Sequence, residues 1–293
     1  MPFTLSHAAA VLPALRADGT GRGRLVPAVL VAGSFAPDTT YYAAGVVPGA
    51  MRFGRVTHSF PGVFTVDVLT AWALVGLWLV LREPLVALLP SAARPRAAGV
   101  LGCGRPRTPF SARTVAWWYA SAALGSLTHV VWDAFTHPGR WGTRLVPRLA
   151  APLAGVPLYR LVQYGSSALA AVLIVLFAAR ALRRAAPRGA VPGPSARRRG
   201  YAVAVIAGCV TAGAAERAVR WRHGAPDAPL WQFVPTLCFG AGAGLLAGLL
   251  LYAVATRLRG RSAGAPAASA DGDAPGRRDG VGAAARQDGP APG

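Results

Sequence analysis

The stretch GSLTHVVWDAFTHPG, residues 125–139, sets His129, Asp133 and His137 at i, i+4 and i+8. At about 100° per residue all three lie within about 80° of one helix face. Pro138 disfavours helical geometry at His137, so the helix is expected to end there with the third group at its mouth. An imidazole one turn from a carboxylate is a spacing that suits Zn²⁺, Fe²⁺ or Mn²⁺. It equally suits satisfied polar groups at a membrane interface, and the triplet alone leaves both readings open.

The other chemistry-bearing residues shift that balance. Of five histidines, His7 lies in FTLSHAAAVL, His58 in RVTHSFPG and His223 in WRHGAPD. Only eleven acidic residues occur in the chain; one is Asp38 in SFAPD, and another, Asp67, falls inside an apolar run. An ionisable residue within a membrane span is costly and marks a candidate functional site. Each group has a plainer alternative: His7 as a lone polar residue on an amphipathic helix, Asp38 as a turn cap, His58 as an interfacial residue, Asp67 as a hydrogen-bonding partner within a bundle. Convergence of five or more of them on one face argues for a site. His223 reads as a loop histidine.

The elements that must position these groups follow from composition. The chain is 53% hydrophobic and only 14% charged, and several runs approach the roughly 20 residues that cross a bilayer. The expected fold is therefore all-α: a polytopic membrane protein with about five spans, near 60–81, 114–135, 164–182, 201–217 and 234–256. Residues 1–59 form an N-terminal helical or re-entrant region, in which Leu25 to Pro37 is too short to span and contains Pro27 and Gly33. No basic residue precedes Arg16 and no cleavage-like site ends the first apolar run, so that run is not expected to be a signal peptide. Gln163 and the Tyr164-Gly165-Ser166-Ser167 run open the third span and either support the site or cap the helix. Beyond Gly260 the chain is Gly, Ala, Pro, Ser, Arg and Asp, a composition that reads as a disordered tail over 257–293.

A formal charge of +20 would point to nucleic acid in a soluble protein, but all 31 basic residues are arginines and they collect in the loops between apolar runs, which speaks for topology rather than a phosphate-binding face. Loops 82–113 and 183–200 are the arginine-rich ones and should be cytoplasmic, so the start of the first span and the end of the second face outward with His58 and the triplet. Arg16, Arg22, Arg24, Arg52 and Arg55 also precede the first span, which runs against this assignment. Cys103, Cys209 and Cys238 show no paired spacing and read as small buried hydrophobes.

MPFTLSHAAAVLPAL, VAGSFAPD, THSFPG followed by Asp67, LGSLTHVVWDAFTHPGRWG and LYRLVQYGSS occur in the order found in the bacterial membrane proteins of domain-of-unknown-function family 4184. The chain resembles that family over roughly residues 1–180, and more distantly is similar to membrane-bound metal-dependent hydrolases. The resemblance implies a divalent-metal site of His7, Asp38, His58, His129, Asp133 and His137, with zinc, manganese or iron bound, in a multi-pass protein of the bacterial plasma membrane. The closer family has no established reaction. Such a site would support hydrolysis at the outer face, where membrane lipids, phosphoesters and envelope precursors are the available substrates. Asp133 or Asp67 would orient an imidazole or act as general base. No GxSxG elbow, HExxH helix or Walker loop is present. Two non-enzymatic readings stand beside this one: a proton-coupled transporter using the same His/Asp groups, and a scaffold tied together by a structural metal. Topology is checked directly: reporter fusions after Gly139 and after Gly189 should report opposite sides, and the same side for both would remove the span between them.

Overall fold

The computed structural model describes residues 3–103, 111–189, 192–224 and 230–263, and they are almost entirely helical. The N-terminal region is a helical hairpin. Its descending arm is a 3-10 turn over Thr4–His7, α1 (Ala8–Val11) and a second 3-10 turn over Leu12–Ala14; its ascending arm is α2 (Pro27–Phe35). Pro13 and Pro27 break the arms into short pieces by removing backbone donors. A 3-10 turn then leads into α3 (Thr39–Ala43), α4 (Ala50–Thr57) and α5 (Phe60–Phe64). The long helices are α6 (Val66–Leu88), α8 (Ala112–Thr136), α10 (Leu158–Arg184), α11 (Ala196–Gly224) and α12 (Leu230–Ala263), with α7 (Arg94–Leu101) and α9 (Trp141–Leu145) between them. A two-residue antiparallel pairing, Pro152–Leu153 with Val156–Pro157, is the one named sheet among the described residues.

Four helices are long and apolar enough to cross a membrane: Val66–Leu88, Leu158–Arg184, Ala196–Gly224 and Phe233–Arg259. Their surfaces say the same, since Leu169, Val175 and Leu176 of α10 are each about 60% exposed or more, a face that water would not tolerate. The expected span at 114–135 is α8, whose 25 residues extend about 37 Å. It is not among the four because Ser121, Ser126, His129 and Asp133 interrupt its apolar surface; all four are buried against the hairpin.

Other boundaries differ from the sequence expectation for identifiable reasons. The first span does not begin at Phe60: the chain breaks at Thr65 (φ −127°, ψ −86°), whose hydroxyl donates to the Pro61 carbonyl at 2.7 Å, and the spanning helix starts at Val66. The fourth helix is not a short 201–217 run but 29 residues, so Glu216, Arg217 and His223 are helical and His223 lies exposed on its last turn. The three cysteines are half-buried and unpaired. The expected disorder from Gly260 lies, beyond Ala263, outside the described residues.

The hairpin is what the bundle is built around. Val29, Ala32 and Ala36 pack with Val68, Ala71 and Val75 of α6 and with Ala122 and Ala123 of α8 in one core cluster. The other arm packs Val11, Leu12 and Leu15 with Phe177 of α10. Its tip lies at the far end, where Gly19 adjoins Val100 of α7 and Ala181 of α10. Arg16, Arg22 and Arg24 therefore flank the tip, beside the ends that lead into the arginine-rich loops, while Arg52 and Arg55 of α4 stay at the site end. Both arms return to the same end, so His7 and Asp38 are neighbours.

Helices α2 and α8 touch through glycine. A Cβ on Gly33 would collide with the Ala122 carbonyl, and one on Gly125 with the Leu30 carbonyl. Gly125→Val should therefore lower stability by about 1–3 kcal/mol or more, read as a fall in Tm in detergent, whereas Gly165→Ala, which has open space around it, should leave Tm unchanged.

Candidate metal centre

Asp38, His58, His129 and Asp133 each turn one ligand atom toward a common point, and these four atoms lie within 4.8 Å of one another. His129 Nε2 is 3.5 Å from both Asp38 Oδ1 and Asp133 Oδ2, and His58 Nε2 is 3.5 and 3.3 Å from the same two oxygens. Asp38 and His129 are fully buried. All four atoms lack a hydrogen-bond partner.

Those separations carry chemical information. A charge-assisted N–H···O bond closes to about 2.7–2.9 Å. Ligands about 2.1 Å from one tetrahedral ion stand about 3.4 Å from each other. The four imidazole–carboxylate separations, 3.3–3.5 Å, match the edges of a coordination shell. Two imidazoles and two carboxylates form a donor set that divalent zinc, iron or manganese accepts.

The fold fixes each group by its other atom. His129 Nδ1–H donates to the Ser34 carbonyl at 2.7 Å, and His58 Nδ1–H to the Gly54 carbonyl at 2.9 Å, leaving both Nε2 lone pairs free. The Thr4 hydroxyl donates to Asp38 Oδ2 at 2.6 Å and leaves Oδ1 free. Thr57, next to His58, donates to the Pro37 carbonyl at 2.8 Å, which ties α4 to the turn that carries Asp38.

His7 and His137 stand on the far side of Asp133. Its Oδ1 is 3.5 Å from His7 Nε2 and 3.4 Å from His137 Nδ1. The His7 ring stacks on His129 at 3.7 Å between centroids. His137 ends α8 in extended conformation (φ −128°, ψ 142°), as Pro138 requires, and the Gln163 amide donates to its Nε2 at 2.8 Å. Ser166 accepts from Trp132 Nε1 at 3.2 Å, and Ser167 meets Ser6, so the start of α10 supports the site by contact.

Asp67 does not join the group. It is fully buried on the first turn of α6, within electrostatic reach of His58 and His129, and neither oxygen has a hydrogen-bond partner. It is not the group that orients an imidazole, because main-chain carbonyls already hold both Nδ1 atoms. Asp38 makes no capping bond, which removes its plainer alternative. His223 lies outside the site.

Sequence reasoning missed Thr4, Tyr41 and the carbonyls of Ser34 and Gly54. The Tyr41 ring sits 5.6 Å from that of His58. Thr4 precedes His7 by one turn, a weak local signal; a carbonyl role has no signature in side-chain type.

The sequence pattern of one known family matches residues 1–254. The chain belongs to DUF4184, a domain of unknown function. The match reaches across α11 and into α12, so the family extends well past residue 180 and takes in helices that contribute no side chain to the group of four. No curated protein and no solved structure matches the chain.

The electrostatics of this DUF4184 protein follow its geometry. Burial raises the Asp38 carboxyl, but the positive field of the adjacent His129 and His58 rings outweighs it and holds Asp38 well below the usual carboxylate range. Burial lowers His58, yet the Asp133 and Asp38 carboxylates overcome it and leave the ring above its ordinary value. Burial dominates at His137 and holds it at about 4. In metal-free protein, protonated His58 thus contributes stability that is full below about 6.5 and lost as pH rises through its higher folded value. A bound ion needs the neutral ring and acts in the opposite sense. Metal analysis of protein purified without chelator should show that His58→Ala and His129→Ala lower bound divalent metal while His223→Ala does not, and added zinc should raise Tm more at pH 8 than at pH 5.5.

Proposed function

We propose that this protein is a membrane-bound metal-dependent hydrolase of the bacterial plasma membrane, with zinc, or manganese or iron in the same donor set, held by Asp38, His58, His129 and Asp133. The observation that carries the reading is the burial of four unpartnered ligand atoms at coordination-shell spacing. When bound, the ion supplies Lewis acidity, which polarises a phosphoryl or carbonyl oxygen and acidifies water.

The protein's own residues supply access. A small polar pocket, with about 10 Å³ of enclosed space, is lined by His7, Asp133, His137, Gln163, Ser6 and Ser167 among others. Its polar lining suits a phosphoryl or similar polar group presented at its mouth rather than a bulky apolar one. Asp133 lines the pocket and Asp67 does not, which favours Asp133 as the carboxylate beside the reacting atoms. The pocket lies at the end of the bundle away from the arginine-rich loops, the end read as outward, which supports a phosphoester or lipid-linked substrate met at the outer surface.

The test is hydrolysis of bis(p-nitrophenyl) phosphate and of a short-chain phospholipid by zinc- or manganese-loaded protein in detergent. His129→Ala should reduce kcat/KM by about 100-fold or more, and Gln163→Ala by about 10-fold. Metal-bound protein that cleaves neither would turn the reading to the structural scaffold, and metal-free protein with pH-dependent transport would turn it to the proton relay.

A further inference from the structure

We propose that Asp133 bridges two ions: its Oδ2 completes the group with Asp38, His58 and His129, and its Oδ1 holds a second ion together with His7 and His137. The proposal rests on the metal reading of the first group and adds to it a separate site on the pocket wall.

The two oxygens of Asp133 face different partners. Oδ2 is turned to His58 at 3.3 Å and His129 at 3.5 Å; Oδ1 is turned to His7 Nε2 at 3.5 Å and His137 Nδ1 at 3.4 Å. The second pair of distances repeats the first, again longer than a charge-assisted hydrogen bond and equal to the about 3.4 Å edge of a tetrahedral shell. A carboxylate with two imidazoles on each oxygen cannot satisfy all four by hydrogen bonding at these lengths.

The histidines suit the role. His7 is buried and lies nearly parallel to His129, 19° between the ring planes, an arrangement two imidazolium rings would resist; the neutral form that allows it is the ligand form. The contacts at His137 Nδ1, with the Thr136 hydroxyl and the Asp133 carbonyl, are both 3.2 Å long, so ligation there displaces little. Gln163 at Nε2 suits either tautomer, because a side-chain amide donates through nitrogen or, turned over, accepts through oxygen.

The two sites differ in access. The first is enclosed by four protein ligands, whereas the second has three, all lining the pocket. Three protein ligands leave a position open toward the pocket, whereas an ion with four would meet a substrate oxygen by expanding to five-coordination. Ions held at both places would suit the entering and the leaving oxygen of a phosphoryl group, which favours a phosphoester as the substrate class.

The experiment is element analysis and manganese titration of the full chain in detergent, with manganese EPR to detect coupling between the ions. Wild type should hold about two equivalents with a coupled signal. His7→Gln and His137→Gln should each hold about one and lose the coupling, with Tm within a few degrees of wild type. A wild type with one equivalent, or variants that keep two, would overturn the bridge and leave the first site standing. A wild type with no metal would overturn both. Should the variants fail to fold, the wild-type stoichiometry and EPR signal decide alone.

Discussion

Four lone pairs converging in a buried space are held together against their own electrostatics. Each carboxylate or imidazole edge removed from water without a partner costs several kcal/mol, and bringing two carboxylates to the same point adds repulsion. The arrangement persists because three of the four side chains are anchored behind the free atom, His58 and His129 by carbonyls and Asp38 by the Thr4 hydroxyl. A positive ion at the centre is the counterpart that makes such a group stable, and the anchors mean that the ligands need little rearrangement to receive it.

The anchors come from helix ends. The last four carbonyls of a helix have no partner within it. Ser34 lies in the last turn of α2 and Gly54 in the last turn of α4; the Ser34 carbonyl takes the His129 ring, and the Gly54 carbonyl takes the His58 ring in addition to the His58 main-chain N–H. Gly33, beside Ser34, accepts from Ser126 in the same way. Short, interrupted helices are therefore functional here: a continuous span in place of the hairpin would offer no carbonyls at the depth of His129. The contact of Gly33 and Gly125 is the steric condition, since any side chain there would lift α2 off α8 and take the Ser34 carbonyl out of reach.

The hairpin also joins site and membrane. Its ends, His7 and Asp38, meet the starts of α6 and α10 and the end of α8, while its tip carries arginines to the opposite end. On the site side, Arg217 of α11 donates to the Tyr41 carbonyl at 2.7 Å and Arg220 to that of Gly45 at 3.0 Å. These bonds hold the segment between Asp38 and His58, which gives α11 a positioning part in the centre although none of its side chains belongs to it.

Much of this was legible in the sequence. The helical class follows from apolar runs of bilayer length, the end of α8 from Pro138, and the shared face of His129, Asp133 and His137 from 3.6 residues per turn, because these are local consequences of residue type and spacing. Motif order was enough to name the family. Spacing did not determine how the six candidate residues divide. Only the packing shows that Asp133 presents one oxygen to His58 and His129 and the other to His7 and His137, and that Asp67, equally buried, stays apart. The hairpin's depth was equally hidden, since a 9-residue helix with a proline at its start has no preferred place in a bilayer until its Gly33 meets Gly125 of α8. Helical period and hydropathy act within one segment and can be read along the chain. Which lone pair faces which depends on contacts between segments far apart in sequence, and those are decided only when the chain packs.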